Sequence, residues 1–247
     1  MNRAAQRREW KPFVTLASEP YRRADRFAWF FARGKLKMDP VFRHLLGQGL
    51  IAPHSRVLDI GCGQGLLASL LSSATSLAEA GRWPLGWPSA PVDVRFTGIE
   101  MMPLDVQRAR AALGDTAQFV CGDMRRTSFP AVDAVVILDV LHYVTRPEQD
   151  DLLLRVREAL HQGGRLLLRV GDAAARRGFL ASQWVDAVVT FVRGHRVLPQ
   201  YGRTLAQWVA QLQSLGFEVQ SQPMSQGTPF ANVLLVARVP GAAQVQP

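Results

Sequence analysis

The sequence predicts an α/β fold: a seven-stranded, mostly parallel sheet with its last strand antiparallel and helices on both faces. Three observations carry this reading. Short apolar runs alternate with helical patterns from residue 56 onward, as expected of parallel strands covered on both sides. The stretch VLDIGCGQG at 57–65 ends one such run with three glycines in five residues, the composition of a tight turn from strand to helix. The last two runs are separated by PMSQGTPFA, which has no helical period and so points to a hairpin.

Taken in order, residues 1–19 are expected to be loosely structured. From Pro20, PYRRADRFAWFFARG predicts an amphipathic helix with Tyr21, Ala24, Ala28 and Phe31 on one stripe, stopped at Gly34. DPVFRHLLGQGLI opens a second helix, with Asp39 as N-cap and Pro40 in the first turn. Strands are expected at 56–60, 95–100, 118–121, 133–139, 165–170, 217–222 and 232–238, and helices at about 64–73, 103–113, 147–161 and 204–215. Two stretches exceed this alternation. One is 74–93, with its Trp83-Pro84 and Trp87-Pro88 turns, placed on the sheet edge away from the glycine turn. The other is 172–203, where Leu180, Trp184, Ala187, Val188 and Phe191 form a helical stripe. The expected organisation is a basic helical extension or cap over 1–49, then a domain over 50–247 with an inserted cap segment at about 172–203.

Composition narrows the function classes. Hydrophobic residues make up 48% and charged residues 20%, which is globular composition. No apolar run reaches bilayer length, and the basic start lacks the apolar region that a secretory signal needs. Cys62 and Cys121 lie in glycine-flanked loops and read as free thiols in a reducing, cytoplasmic setting. Residues 1–43 hold eleven basic residues against four acids, which is +7 of the total +9. That is either a solvated helical face or a docking surface for an acidic partner, such as nucleic acid, anionic lipid or an acidic carrier protein.

The glycine turn specifies its ligand by charge. Gly61, Gly63 and Gly65 give G-x-G-x-G rather than the dinucleotide spacing G-x-G-x-x-G. Asp59 stands two residues ahead of the first glycine, where its carboxylate would repel a pyrophosphate and hold an amino group. A ligand with a positive group is therefore expected, which speaks against a nicotinamide-dependent oxidoreductase.

Five motifs in order resemble the class I S-adenosylmethionine-dependent methyltransferases, over roughly residues 50–240. These are VLDIGCGQG, FTGIE, VCGDM, VDAVVILDVLHYV and LHQGGRLLLRV. The resemblance implies a Rossmann-like fold with S-adenosyl-L-methionine as cofactor and S-adenosyl-L-homocysteine as product. It implies that Asp59, Gly61, Gly63 and Gly65 hold the methionine end, and that Glu100 binds both ribose hydroxyls with Met101 beside it. Asp123 would face the adenine amino group, Met124 would cover the ring, and Asp139 and Leu141 would sit at the reactive end. In one respect the chain departs from the pattern. Glu100 lies 35 residues beyond Gly65, against about 20 in such folds; the segment 74–93 accounts for the excess.

Methyl transfer from a sulfonium is an in-line displacement, so alignment supplies much of the catalysis. A base is needed only where the acceptor must lose a proton. His142, three residues after Asp139, is the candidate catalytic base, or else a residue that closes its loop. His195 and Tyr201 are candidate substrate contacts in the inserted segment, and no metal-ligand cluster is apparent. The aromatic residues Phe27, Trp29, Phe30, Phe31, Trp184 and Phe191 suit an aromatic or apolar acceptor, as they also suit a core. FARGKLKMDPVF and GTPFANVLLVAR are similar to methyltransferases found among aryl-polyene or fatty-acid-like biosynthetic enzymes. That resemblance implies a small-molecule acceptor carried on an acidic acyl carrier protein. Two alternatives stand beside this reading. A nucleic-acid methyltransferase would use the positive charge, but DVLHYV replaces the Asn/Asp-Pro-Pro-aromatic motif. The other is a non-catalytic module that binds S-adenosylmethionine.

Overall fold

The computed structural model describes residues 3–171, 201–225 and 232–241. Strands β1 (Arg56–Ile60), β2 (Arg95–Glu100), β3 (Gln118–Cys121), β4 (Val132–Leu138), β5 (Leu160–Gly171), β6 (Glu218–Pro223) and β7 (Asn232–Arg238) form one sheet in the order β3-β2-β1-β4-β5-β7-β6. The edge strands β3 and β6 are largely exposed, whereas β1 and β4 are almost wholly buried. Apolar runs thus occupy the centre, where both faces are covered. The chain divides into two compact units, Met1–Ser128 and Phe129–Pro247.

The first unit contains β1 to β3, all parallel, with Ile60 opposite Ile99 and Glu100 opposite Cys121. This register brings the loops after the three strands to one edge. Helix α4 (Leu66–Glu79) follows β1, and α5 (Pro103–Leu113) follows β2. Ahead of β1 come α1 (Arg3–Ser18), a 3₁₀ turn at Glu19–Arg23, α2 (Arg26–Met38) and α3 (Pro40–Gly47).

Several sequence expectations are corrected here. Within the expected loose stretch 1–19, Arg3–Ser18 is helical, because Trp10, Phe13, Val14 and Ala17 form a buried stripe at helical spacing. That stripe outweighs the hydrogen bond lost at Pro12, and the Trp10 indole N–H donates to the Leu36 carbonyl at 2.8 Å. The single helix expected from Pro20 to Gly34 is divided. Asp25 accepts from the Ala28 N–H at 2.7 Å and so caps a new helix. Gly34 does not end that helix, which runs to Met38. Asp39 then turns extended before Pro40 and caps α3 through the Val41 N–H. Helix α4 continues to Glu79, beyond the expected 73, since ATSLAE is still helix-forming.

The Trp-Pro segment packs on α1. Phe13 stacks on Trp87 at 5.6 Å and meets the edge of Trp83 at 5.7 Å. Offset and edge-on aromatic pairs of this kind add ~0.5–1.5 kcal/mol each beyond area burial. The excess sequence between the glycine turn and Glu100 thus anchors the N-terminal helix.

In the second unit β4 runs parallel to β5, with Leu138 opposite Arg169. Strand β7 runs antiparallel to both β5 and β6, as the hairpin expectation requires. Helix α6 (Arg146–Ala159) precedes β5, and α7 (Leu205–Ser214) precedes β6. Each opens with a capping box, Thr145 with Glu148 and Thr204 with Gln207. Strand β5 begins at Leu160, five residues before the expected start, and passes through Gly163 at φ +75°.

Candidate active site

In the first unit, the end of β1 delivers Asp59 and the glycine turn. The Gly61 and Cys62 N–H groups donate to the Ile99 carbonyl at 2.8 and 3.2 Å, which ties the turn to β2. Gly65 caps α4 at φ +78°, and a Cβ there would lie 2.8 Å from the Phe119 ring. Only glycine meets both conditions. Gly63 is also left-handed, but its Cβ position is open, with nothing within 4 Å. Its N–H donates to Glu100 Oε2 at 3.0 Å, and the Met102 N–H donates to Glu100 Oε1 at 2.9 Å. One carboxylate therefore joins the glycine turn to the start of α5.

Asp59 is buried, at 4% exposure, and no basic group pairs with it among the described residues. Burial first, and the neighbouring Glu100 carboxylate second, push its carboxyl up to about 8. Burial, Asp59 and Glu100 likewise push the Cys62 thiol up, so it is an inert filler facing Gly98. Two acids and no cation make this a place for a positive group.

Asp123, after β3, is gripped by the Arg125 guanidinium at 2.6–3.0 Å and also accepts the Arg125 N–H. Those hydrogen bonds hold its carboxyl below the usual range. Met101 is half exposed and Met124 half-buried.

Tyr21, ahead of the sheet, and Gln64, within the turn, escaped the sequence reading as site residues. The fully buried Tyr21 donates its hydroxyl to the Gln64 carbonyl at 2.9 Å, and the Gln64 amide donates to the Ala28 carbonyl at 2.9 Å. The only sequence signal was a polar Gln64 between two glycines, which a solvated turn would equally explain.

In the second unit, Asp139 follows β4 at φ +60°, a left-handed backbone that is costly for a residue with a Cβ. Its carboxylate is held by both arms of Arg169, Nε to Oδ1 at 2.9 Å and Nη2 to Oδ2. Leu141 is buried in the 3₁₀ turn Leu141–Tyr143. His142 lies in the same turn; burial lowers its imidazole, against the pull of the Asp139 carboxylate. The turn is pinned from α6 and from 201–203. The buried Gln149 amide nitrogen lies 2.8–3.0 Å from the carbonyls of Leu141, Val144 and Tyr201, and its oxygen accepts from Arg203. The Tyr201 N–H donates to the His142 carbonyl at 2.8 Å. Tyr201 thus stands next to His142 in this unit. The stripe at 180–191 and His195 lie outside the described residues.

Residues 57–164 match the family model for a methyltransferase domain. This stretch is a class I S-adenosylmethionine-dependent methyltransferase domain.

Among curated proteins, the domain's chain is similar to the malonyl-[acyl-carrier protein] O-methyltransferase of Anoxybacillus flavithermus. The two are 22% identical over 68% of this chain and 58% of that protein. It is also similar to the enzyme of the same name from Neorickettsia risticii, 31% identical over 38% of this chain and 33% of that one. The matches therefore span less than two thirds of either relative. Among solved structures, human N-acetylserotonin methyltransferase in complex with S-adenosylmethionine shares the fold, with a TM-score of 0.53. It is 22% identical and covers 76% of this chain and 48% of that chain.

The sequence reading missed Arg169 as well as Tyr21 and Gln64 as site residues. A signal for Arg169 was present: an arginine inside the apolar run LLLRV must find an acid once buried. Gln149 and Arg203 carried no comparable signal, because a polar residue on a helix is usually solvated. No helix among the described residues is long and apolar enough to cross a membrane.

Proposed function

We propose that this chain transfers a methyl group from S-adenosylmethionine to a small aromatic or apolar acceptor carried on an acyl carrier protein, within a biosynthetic sequence. When bound, the cofactor supplies an electrophilic methyl on a sulfonium. The observation that carries the reading is Asp59: a buried acid without a cation, beside a second acid and an open glycine turn. That environment suits the ammonium of an amino-acid ligand, which would draw Asp59 into its ionised form, while the neighbouring Glu100 carboxylate disfavours the phosphates of a dinucleotide.

The remaining roles follow the same logic. Glu100 retains lone pairs for the ribose hydroxyls while its two backbone donors fix its direction. Gly61, Gly63 and Gly65 let the backbone approach. Met101, Asp123 and Met124 flank the adenine, with the Asp123 carboxylate passing from Arg125 to the exocyclic amine. Asp139, oriented by Arg169, and Leu141 serve the reactive end. His142, neutral at physiological pH, accepts the proton of a hydroxyl acceptor, and Tyr201 contacts the acceptor. The carrier-linked acceptor is supported by the names of the two curated relatives, which act on a malonyl group held by a carrier protein.

The test uses isotope-labelled S-adenosylmethionine with an acyl carrier protein bearing a para-hydroxybenzoyl group, and tRNA and duplex DNA as rivals. Label is expected on the carrier-linked group. Label on nucleic acid alone, or on nothing while the cofactor binds, overturns the reading. Glu100→Ala should raise the cofactor Kd by about 10- to 100-fold, the loss of hydrogen bonds to a charged acceptor.

A further inference from the structure

Helix α2 has two unlike faces. Ala28, Ala32 and Leu36 are buried. On the other side Phe30, Gly34 and Met38 follow one another at i, i+4 and i+8, with Arg33 and Lys37 alongside. Phe30 and Met38 are 57% and 72% exposed, too much apolar surface to be explained by packing within the chain.

This face carries a shallow, open groove. A groove of about 600 Å³ is lined by Arg22, Trp29, Phe30, Arg33, Lys37 and Met38, with Gly34 among them. Trp29 and Phe30 rings meet at 4.6 Å, and the Arg22 guanidinium lies 4.1 Å over Trp29. Arg33 and Lys37 have no carboxylate partner among the described residues. A Cβ at Gly34 would meet only Met38 Cε, at 3.9 Å, so alanine would fit and would favour the helix. Glycine instead leaves a channel between Phe30 and Met38.

We infer that this groove is the docking site for the acyl carrier protein, which would lay into it a helix bearing carboxylates beside apolar side chains. The inference rests on the carrier-linked acceptor proposed above and adds the surface that recognises the carrier. Charge complementarity selects the occupant. Arg33 and Lys37, beside an Arg22 that is paired with Glu19 at 2.8 Å, frame an apolar channel, the arrangement that an acidic amphipathic helix requires. A second copy of this chain would bring its own excess of +7 within residues 1–43 and be repelled. A flat anionic bilayer would meet the cations but makes no use of the channel that Gly34 leaves between Phe30 and Met38.

The experiment compares KM for the loaded carrier protein with KM for the same acyl group on free pantetheine. The proteins are wild type, the double variant Arg33→Glu/Lys37→Glu, and Gly34→Leu, which fills the channel without changing charge. Both variants should raise KM for the carrier by about tenfold or more, with kcat, free-thioester kinetics and cofactor affinity unchanged. The defect of the charge reversal should shrink between about 50 and 500 mM salt, whereas that of Gly34→Leu should persist. Wild-type carrier KM in both variants, with methyl transfer intact, overturns the docking site and leaves the proposed function standing. Equal use of carrier-bound and free thioester by the wild type overturns both. Binding to phosphatidylglycerol vesicles that the variants lose, with carrier KM unchanged, reassigns the face to lipid and overturns the inference.

Discussion

Arg169, 2% exposed within β5, holds the Asp139 carboxylate through both guanidinium arms. The two meet because the parallel register sets Leu138 against Arg169 and so places the next residue of the β4 strand end beside the guanidinium. The pair also fixes Asp139 in its left-handed backbone, ahead of the turn that carries His142.

Removing Asp139 takes the carboxylate away from a guanidinium that is only 2% exposed. Asp139→Ala should lower the unfolding free energy by about 3 kcal/mol, measured in urea at neutral pH. The double variant Asp139→Asn/Arg169→Met should recover most of that loss. A single-variant loss below about 1 kcal/mol would mean that solvent reaches Arg169 and that the pair is not structural.

Asp59 makes stability and cofactor binding depend on pH. An unfolded aspartate ionises near pH 4, whereas the folded carboxyl ionises at about 8. Between these values the unfolded chain binds fewer protons, so stability falls as pH rises and levels off above 8. Urea midpoints should follow that slope in the wild type and flatten in Asp59→Asn. A bound ammonium favours the ionised form, so binding S-adenosylhomocysteine near neutral pH should release a proton. Calorimetry in buffers of different ionisation enthalpy reads this directly; identical heats would remove Asp59 from the ammonium site.

Tyr21→Phe deletes only the hydroxyl that donates to the Gln64 carbonyl. The buried acceptor is left short of a donor, at a cost of ~1–3 kcal/mol, and the glycine turn loses a brace. A melting temperature lowered by several degrees together with a few-fold rise in cofactor Kd is expected. A stability loss with unchanged Kd would confine Tyr21 to packing.

His142→Gln should cut turnover on a hydroxyl acceptor by about 10²- to 10⁴-fold, the range of general-base catalysis. Cofactor affinity should hold and melting temperature should fall only slightly, because glutamine keeps the backbone carbonyl that accepts from the Tyr201 N–H and loses the ring contact with Tyr143. In the wild type kcat should rise with pH through a value below the ordinary histidine range, since burial lowers the imidazole, and stay level above it. A flat profile, or an equal loss in folding, would make the residue a loop closer.

The strands, most helices and the glycine turn were legible in the residues themselves. Apolar runs such as VVIL and LLL are buried wherever they sit centrally, and Gly65 marks a left-handed turn into a helix that glycine adopts most readily. The stripe Trp10, Phe13, Val14, Ala17 was equally local, but Pro12 obscured it. The tertiary structure alone decided which polar groups meet. Tyr21 and Gln64 lie 43 positions apart, and Asp139 and Arg169 lie 30 apart. Strand register and helix docking create these pairs, and no sequence period records either. The same holds for Asp59: its acidity was visible in the sequence, but its burial beside Glu100, and hence its proton at neutral pH, arises only when β1 and β2 align.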